Sequence, residues 1–394
     1  MKKILLILLV FLLVYPGFGQ SIYSIPGFGE LNYNNNVRVK GMGGLGISVE
    51  DDISISAFNP ASIISLKNTS IFIGGIHSRS VSKYQSADFG MSFTRFTGLG
   101  FGVRAADNFA FSLSINPFSN LNYALKLKEA NGATKSLSGD GGINLFSFSG
   151  AYKMRNIITI GASVNYYFGN IDEKYRIDFL DNSFLNTERS VYSSMKGASF
   201  SGGIILKLSE KLNFGFTFKP SVTLNGEQGI RFFEDSVGYQ SNFKFKLPSS
   251  YGFGLFSKLN RKISVNIDLY KNLYKDSKID GSPVQYFNDS NHFGLGFEYI
   301  DSDDPTDPLK RRIAYRVGLN MGNFYINDLN NNKVNEFLIT TGMGIPFMEG
   351  KGRIDMAFQF GKRGNTSLNP GQDLMFKFFI SIAGGEKWFV ERTF

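Results

Sequence analysis

The stretch VRVKGMGGLGISVEDDISISAFNPA, residues 37–61, sets Gly41, Gly43 and Gly46 in the order G-x-G-x-x-G. Dinucleotide-binding turns use that spacing, because glycines let the backbone reach a pyrophosphate where a strand gives way to a helix. The surroundings differ here. An asparagine run, Asn34 to Asn36, precedes the glycines where a buried strand should stand, and Glu50, Asp51 and Asp52 follow them. The glycines therefore read as tight turns in a compact segment that approaches a neighbouring wall. Other chemistry is sparse. His77 and His292 lie far apart, each on an expected strand, and cysteine is absent, so neither a metal cluster nor a Ser-His triad is suggested. The acidic stretch DSDDPTDP (301–308) lacks EF-hand spacing, and DLNNNK (328–333) has no glycine at its sixth position and no glutamate at its twelfth. No catalytic residue, metal or cofactor is expected, and the chain reads as a non-enzyme.

The elements that must hold these residues are strands. In 394 residues there are 40 Phe, 18 Tyr and 44 Gly but 11 Pro, with 19% charged residues and a mean hydropathy of -0.09. Aromatics and glycine suit pleated strands with interfacial rings, and neutral hydropathy follows when apolar and polar residues alternate. Ile263, Val265, Ile267 and Leu269 alternate with Ser264, Asn266, Asp268 and Tyr270. The same period recurs at 313–320, 353–360 and 374–382, giving one apolar and one polar face. About fourteen such runs lie between residues 68 and 384, an even number as a single-chain outer-membrane barrel requires. The expected fold is all-β: a transmembrane antiparallel β-barrel of about 14 strands with an N-terminal hatch plugging the lumen.

Lys2 and Lys3 precede an apolar run, Ile4 to Val14, and a small-x-small site ends at Gly19. This reads as a secretory signal peptide over 1–19, since the run is too short to span a bilayer. The hatch is expected over 20–67 and the barrel over 68–394. The formal charge of +9 is spread along the chain, which argues against nucleic acid as a partner and suits contact with anionic outer-membrane lipid.

GMGGLGISVEDDISISAFNPASI resembles the hatch of the FadL family of outer-membrane hydrophobic-compound transporters, through its glycines, the pair Asp51-Asp52 and the run Asn59-Pro60-Ala61. NLFSFSGAYKMRNIITIGASVNYYF from Asn144, GASFSGGIILKLSEKLNFGFTFKP from Gly197 and KLPSSYGFGLFSKLNRKISVNIDLY from Lys246 resemble later strands of that family. The opening, with Tyr23, Ser24, Gly27, Phe28 and Gly29, resembles members of Bacteroidetes type, some of which serve type IX protein secretion instead of lipid uptake. The resemblance implies a passive transporter for long-chain fatty acids or other hydrophobic small molecules, released sideways into the membrane. It implies ligand contacts from Ile22, Tyr23 and Phe28, a carboxylate contact from Lys174 or Arg176, and a lateral gate at Asn116-Pro117. The alternative partner is a secretion-machinery protein.

Overall fold

The structure, a computed structural model, describes residues 21, 23, 25, 27–84, 87–129, 132–180, 185–232 and 236–386. The proposed signal segment, Ile22 and Ser24 lie outside them. Alternation sorts the side chains of nearly every strand. On 263–272, Ile267 and Leu269 are 41% and 55% exposed on the outer wall, while Asn266 and Asp268 are fully buried in the lumen. A sheet built from such strands closes with its apolar face outward.

Twenty strand segments are described: β1 (Glu30–Leu31), β2 (Thr69–Tyr84), β3 (Ala87–Ala106), β4 (Phe109–Pro117), β5 (Ser119–Lys128), β6 (Thr134–Met154), β7 (Ile158–Asp178), β8 (Thr187–Ser209), β9 (Leu212–Lys219), β10 (Val222–Phe232), β11 (Ser236–Leu247), β12 (Ser250–Lys258), β13 (Ile263–Asn272), β14 (Lys278–Ile279), β15 (Ser282–Pro283), β16 (Ser290–Ile300), β17 (Ala314–Asn323), β18 (Asn335–Phe347), β19 (Gly352–Arg363) and β20 (Gly371–Glu386). All pairings are antiparallel, and β2 pairs with β20 from Thr69↔Glu386 to Tyr84↔Gly371, which closes the cylinder. β4 with β5, β9 with β10 and β11 with β12 are halves of single crossings, because β6, β8 and the facing broken strand pair with both halves. Setting aside the short β1, β14 and β15 leaves fourteen crossings, as expected from the sequence.

Proline marks each break. Pro117 ends β4, Pro220 separates β9 from β10, and Pro248 separates β11 from β12. A residue without an N–H cannot continue a central ladder. The first break has a further consequence. β3 pairs with β2 from Ala87 to Gly102, but with β4 only from Leu99 to Ala106. β5 pairs with β6 on one edge and, on the other, only with Glu30 and Leu31 of β1. Between Ala87–Gly98 and β5 no ladder joins the described residues, so the wall carries a seam.

Inside, residues 32–66 fold as a mostly buried insert with one helical turn, Val37–Lys40, and a 3-10 turn, Pro60–Ser65. The connections around Tyr274 to Phe287 and Phe324 to Val334 fold back over the lumen and share one buried cluster with Phe28. Val164 is 62% exposed in the outward stripe of β7 with Ile160 and Tyr166. Val164→Lys is expected to cost about 2–4 kcal/mol if it meets the bilayer midplane. The check is urea unfolding after refolding into phospholipid vesicles, with the inward Ser163→Thr as the neutral comparison.

Candidate functional site: an anchored insert beneath an aromatic chamber

The glycines of the opening motif solve a problem of approach. Gly43 and Gly46 have φ of +83° and +66°, where a side chain is strained, and a Cβ on Gly43 would lie 2.7 Å from the Leu319 carbonyl oxygen. Its N–H donates to Thr340 Oγ1 (3.1 Å), and its carbonyl accepts from Asn320 Nδ2 (2.6 Å). The N–H groups of Gly46 and Ile47 donate to the two oxygens of Asp268 at 2.8 and 3.0 Å. Gly41 lies against Gly342, 3.1 Å from a Cβ built on it to the Gly342 Cα. The lumen wall thus grips this loop by its backbone.

Asp51 and Asn59 fix the rest of the insert. Asp51 Oδ1 accepts from the N–H groups of Ile53 and Ser54, both at 3.1 Å, while its Oδ2 accepts from Arg353 Nη2 at 2.6 Å. Asn59 Oδ1 accepts from Ala61 N–H at 3.1 Å and so caps the turn that begins at Pro60. Its amide donates to Ile47 O at 2.7 Å. Gly203 and Gly161 leave room for Asn59 and Ala61, since a Cβ on either would sit about 2 Å from those residues (1.9 and 2.2 Å). Asp52 instead pairs with Lys67 at the mouth, at 2.6 Å with both partners exposed.

A line of alternating charge runs from insert to wall and back. Arg38 grips Glu298 with two bonds of 2.6 and 2.9 Å, and Arg316 joins Glu298 and Asp355, each at 2.7 Å. Arg353 then joins Asp355 (2.7 Å) to Asp51 (2.6 Å). Burial alone would raise the Asp51 carboxyl, but Arg353 and Arg38 outweigh it and hold it far below the usual range.

Above the insert lies the chamber. Phe28 stacks on Tyr325 at 4.8 Å and has Phe245, Phe287, Tyr274 and Phe118 within 6.3 Å. Tyr325 donates to Gly29 O at 2.8 Å, and the Tyr23 hydroxyl donates to the Gly371 carbonyl. Glu30 accepts from Arg363 at 2.7 Å and Lys377 at 3.0 Å. Burial pushes its carboxyl up, yet Lys377 and Arg363 prevail and hold it at about 2. A cavity of about 50 Å³ remains beside this strap, lined by Leu31, Tyr33, Phe58, Asn116, Pro117, Phe118, Lys219 and Tyr274 among others.

Tyr23, Phe28, Asn116 and Pro117 are therefore brought together around one chamber. Lys174 and Arg176 are not. Both are exposed, and Arg176 pairs with Asp178 at 2.7 Å. Strand parity explains the correction: Glu173 turns inward to accept from Tyr123, so its neighbour Lys174 points out. The cation lining the cavity itself is Lys219, whose ammonium lies 5.1 Å from the centre of the Phe58 ring and makes no ion pair with a described residue. The sequence sign for it was the Lys-Pro step at a strand break. His292 Nε2 lies 2.8 Å from Ser290 Oγ and 2.9 Å from the Tyr33 hydroxyl. Ser290 is wholly buried at this cluster.

With this geometry in view, the sequence comparisons are specific. A family model described as BamG matches residues 1–394. The chain belongs to the BamG family. No curated protein matches it. Among solved structures, the toluene transporter TbuX of Ralstonia pickettii is similar at 15% identity, covering 91% of this chain and 99% of that one, with a TM-score of 0.63. The Pseudomonas putida toluene transporter TodX is similar at 15% identity, with the same coverage and a TM-score of 0.62. A Pseudomonas aeruginosa FadL homologue gives 12% identity, 93% and 98% coverage and a TM-score of 0.61. This BamG-family chain thus has the FadL-type barrel fold.

Two measurements check the anchoring. Asp51→Asn removes the insert's own anion from the charge line and is expected to cost about 3 kcal/mol, read as faster proteolysis of the insert in detergent. Lys40 is buried, with its ammonium bonded to Asn32 Oδ1 at 3.1 Å. Burial pushes it down to about 7; Lys377 adds to the shift, while Glu30 and Glu336 oppose it. Its folded value lies below its unfolded one, so between about pH 7 and 10 the unfolded chain holds the extra proton and stability rises with pH. The guanidinium midpoint should climb across that window in the wild type and stay flatter in Lys40→Met.

Proposed function

We propose that this protein is an integral, multi-pass barrel of the bacterial outer membrane that passively carries a hydrophobic small molecule, a long-chain fatty acid being the first candidate, and releases it sideways into the membrane. The observation that supports this most is the chamber itself. It is aromatic, it carries an ammonium with no carboxylate partner among the described residues, and it reaches the wall break at Asn116-Pro117. The solved structures of similar fold are named as toluene transporters, a monoaromatic hydrocarbon channel and a FadL homologue.

In this reading the strap holds the site in the cargo's absence. Phe28 fills the aromatic space and about 50 Å³ stays empty, too little for a fatty acid. Cargo must displace the Phe28 ring, and a ligand shifts such an equilibrium only by what it gains in one state over the other. An apolar chain gains burial against Tyr274 and Leu145, and a carboxylate gains the desolvated ammonium of Lys219. Asp51, Asn59, Pro60 and Ala61 hold the insert beneath while Gly41, Gly43 and Gly46 supply its turns.

A second reading, a barrel that serves protein secretion, is favoured by a different feature. At the end with the short turns, a mouth of about 1340 Å³ is lined by Arg104, Lys207, Lys211, Lys258, Arg261, Arg312 and Lys351 with fewer acidic groups. Such a surface suits an acidic polypeptide. Purification from the native membrane separates the two: bound lipid identified by mass spectrometry supports carriage, and a stable protein complex without lipid supports the second. Labelled oleate uptake in a deletion strain should fall if fatty acid is the main cargo, and unchanged uptake rejects it. Lys219→Met should weaken oleate binding roughly tenfold to a hundredfold and leave binding of neutral toluene unchanged.

A further inference from the structure

The seam between β3 and β5 is bridged by the side chain of Arg95. Arg95, on the unladdered part of β3, donates from Nη1 to Gly141 O (3.1 Å) and Asn120 Oδ1 (3.4 Å). Its Nη2 donates to Leu121 O (3.4 Å) and to the Asp140 carboxylate. Four acceptors on β5 and β6 thus meet a guanidinium from β3, where a continuous barrel would show backbone bonds. A planar fork with five donors can do this, and an ammonium cannot.

The foot of the seam shows that the shut form is incompletely satisfied. Asn116 Oδ1 and Thr97 Oγ1 are buried polar atoms without a hydrogen-bond partner among the described residues, and their residues are 6% and 4% exposed. A Cβ on Gly98 of β3 would be 2.3 Å from Asn116 Oδ1, so this oxygen sits against the strand that faces the break, whereas Thr97 Oγ1 lies on the other side, 2.6 Å from a Cβ built on Gly74 of β2. A buried unpaired amide oxygen favours any arrangement that brings it a donor, whether water or a polar group on a passing molecule. Asn116 Oδ1 therefore favours opening at the foot of the seam while the guanidinium holds the wall shut. The bridge is also weak enough to release, because Asp140 is 71% exposed and its attraction is screened.

We propose that Arg95 is the latch of a side port whose walls are β3 and β5 and whose sill is Asn116. It is a positioning residue: it sets the width of the seam and does not itself hold cargo. The port lies next to the chamber, since Asn116, Pro117 and Phe118 line the cavity. The claim that cargo uses this port rests on the transport reading above, whereas the claim that Arg95 holds it shut does not.

The chain has no cysteine, so spin labels can be placed cleanly. The test puts nitroxides on Thr94→Cys and Lys126→Cys, either side of the seam, in protein reconstituted into phosphatidylcholine vesicles. Adding Arg95→Ala should lengthen and broaden the distance distribution, Asp140→Asn should do so partly, and Arg95→Lys should resemble Asp140→Asn because the fork is lost. Heat-modifiable gel mobility verifies the folded barrel, and the exposed Asp140→Asn serves if Arg95→Ala does not fold. An unchanged distribution in folded Arg95→Ala or Asp140→Asn overturns the latch. Flux of the apolar dye N-phenyl-1-naphthylamine into the same vesicles should rise severalfold in Arg95→Ala. A widened seam with unchanged flux leaves the latch standing and counts against the transport route.

Discussion

The position of the insert depends on a six-member line of charge: Arg38, Glu298, Arg316, Asp355, Arg353 and Asp51. Buried ion pairs are poor sources of net stability, because desolvation consumes most of the attraction. What they supply is register. Bidentate arginine contacts tolerate little displacement, so the line fixes where the helical turn at Val37 meets the wall. The Gly43 and Gly46 contacts then follow within van der Waals tolerance. Its composition also matters. The wall contributes two cations and two anions and the insert one of each, so withdrawing the insert leaves neither side with a net charge. A plug tied this way is specific in position without being held by an unpaired buried ion.

The strap differs on that point. Glu30 faces Arg363 and Lys377, with Glu336 sharing Arg363. Without Glu30, Lys377 loses the carboxylate it pairs with, so the strap supplies a counter-ion to its own site. Aromatic packing around Phe28 and the Tyr325 bond to Gly29 add to that hold. The insert and the strap, though adjacent in sequence, are therefore bound by different physics: balanced charge for one, a counter-ion and an aromatic ring for the other.

Much of the architecture was legible because period-2 alternation is a local signal. The faces read for 313–320 and 353–360 are those observed: Tyr315 and Val317 turn outward, while Arg316, Asn320, Arg353 and Asp355 are buried in the lumen. The anchoring motif was legible through glycine, since positive φ and close approach leave few alternatives at Gly43 and Gly46. Pairing partners were not. That Asp268 would hold two N–H groups of the insert depends on partners 222 and 221 residues away in sequence, and that Arg316 would lie between two carboxylates depends on partners 18 and 39 residues away. Lys174 and Arg176 failed for a local reason. The parity of a strand flips with one residue, and β7 runs for 21 residues without a proline or break to reset the count.

The seam brings the remaining constraint into view. Inside hydrocarbon, an unpaired backbone group costs several kcal/mol, which is why barrels close. β5 escapes that cost through the placement of its outer face. Asn122, Ala124, Lys126 and Lys128 alternate outward, and the last three are exposed, so this half of the crossing lacks the apolar stripe that β7 carries. Polar groups there can be hydrated. At the foot the character changes: Phe96 and Leu99 of β3 are exposed apolar residues at 41% and 43%. The wall is thus left unladdered where its outer face turns polar, and regains full pairing with β4 from Leu99 downward, where it is greasy. A molecule leaving at that transition would pass from the chamber to lipid beside Phe96 without crossing the charged outer loops. In the transport proposed here, a strand broken at Pro117 and not deeper in the apolar belt would give that route.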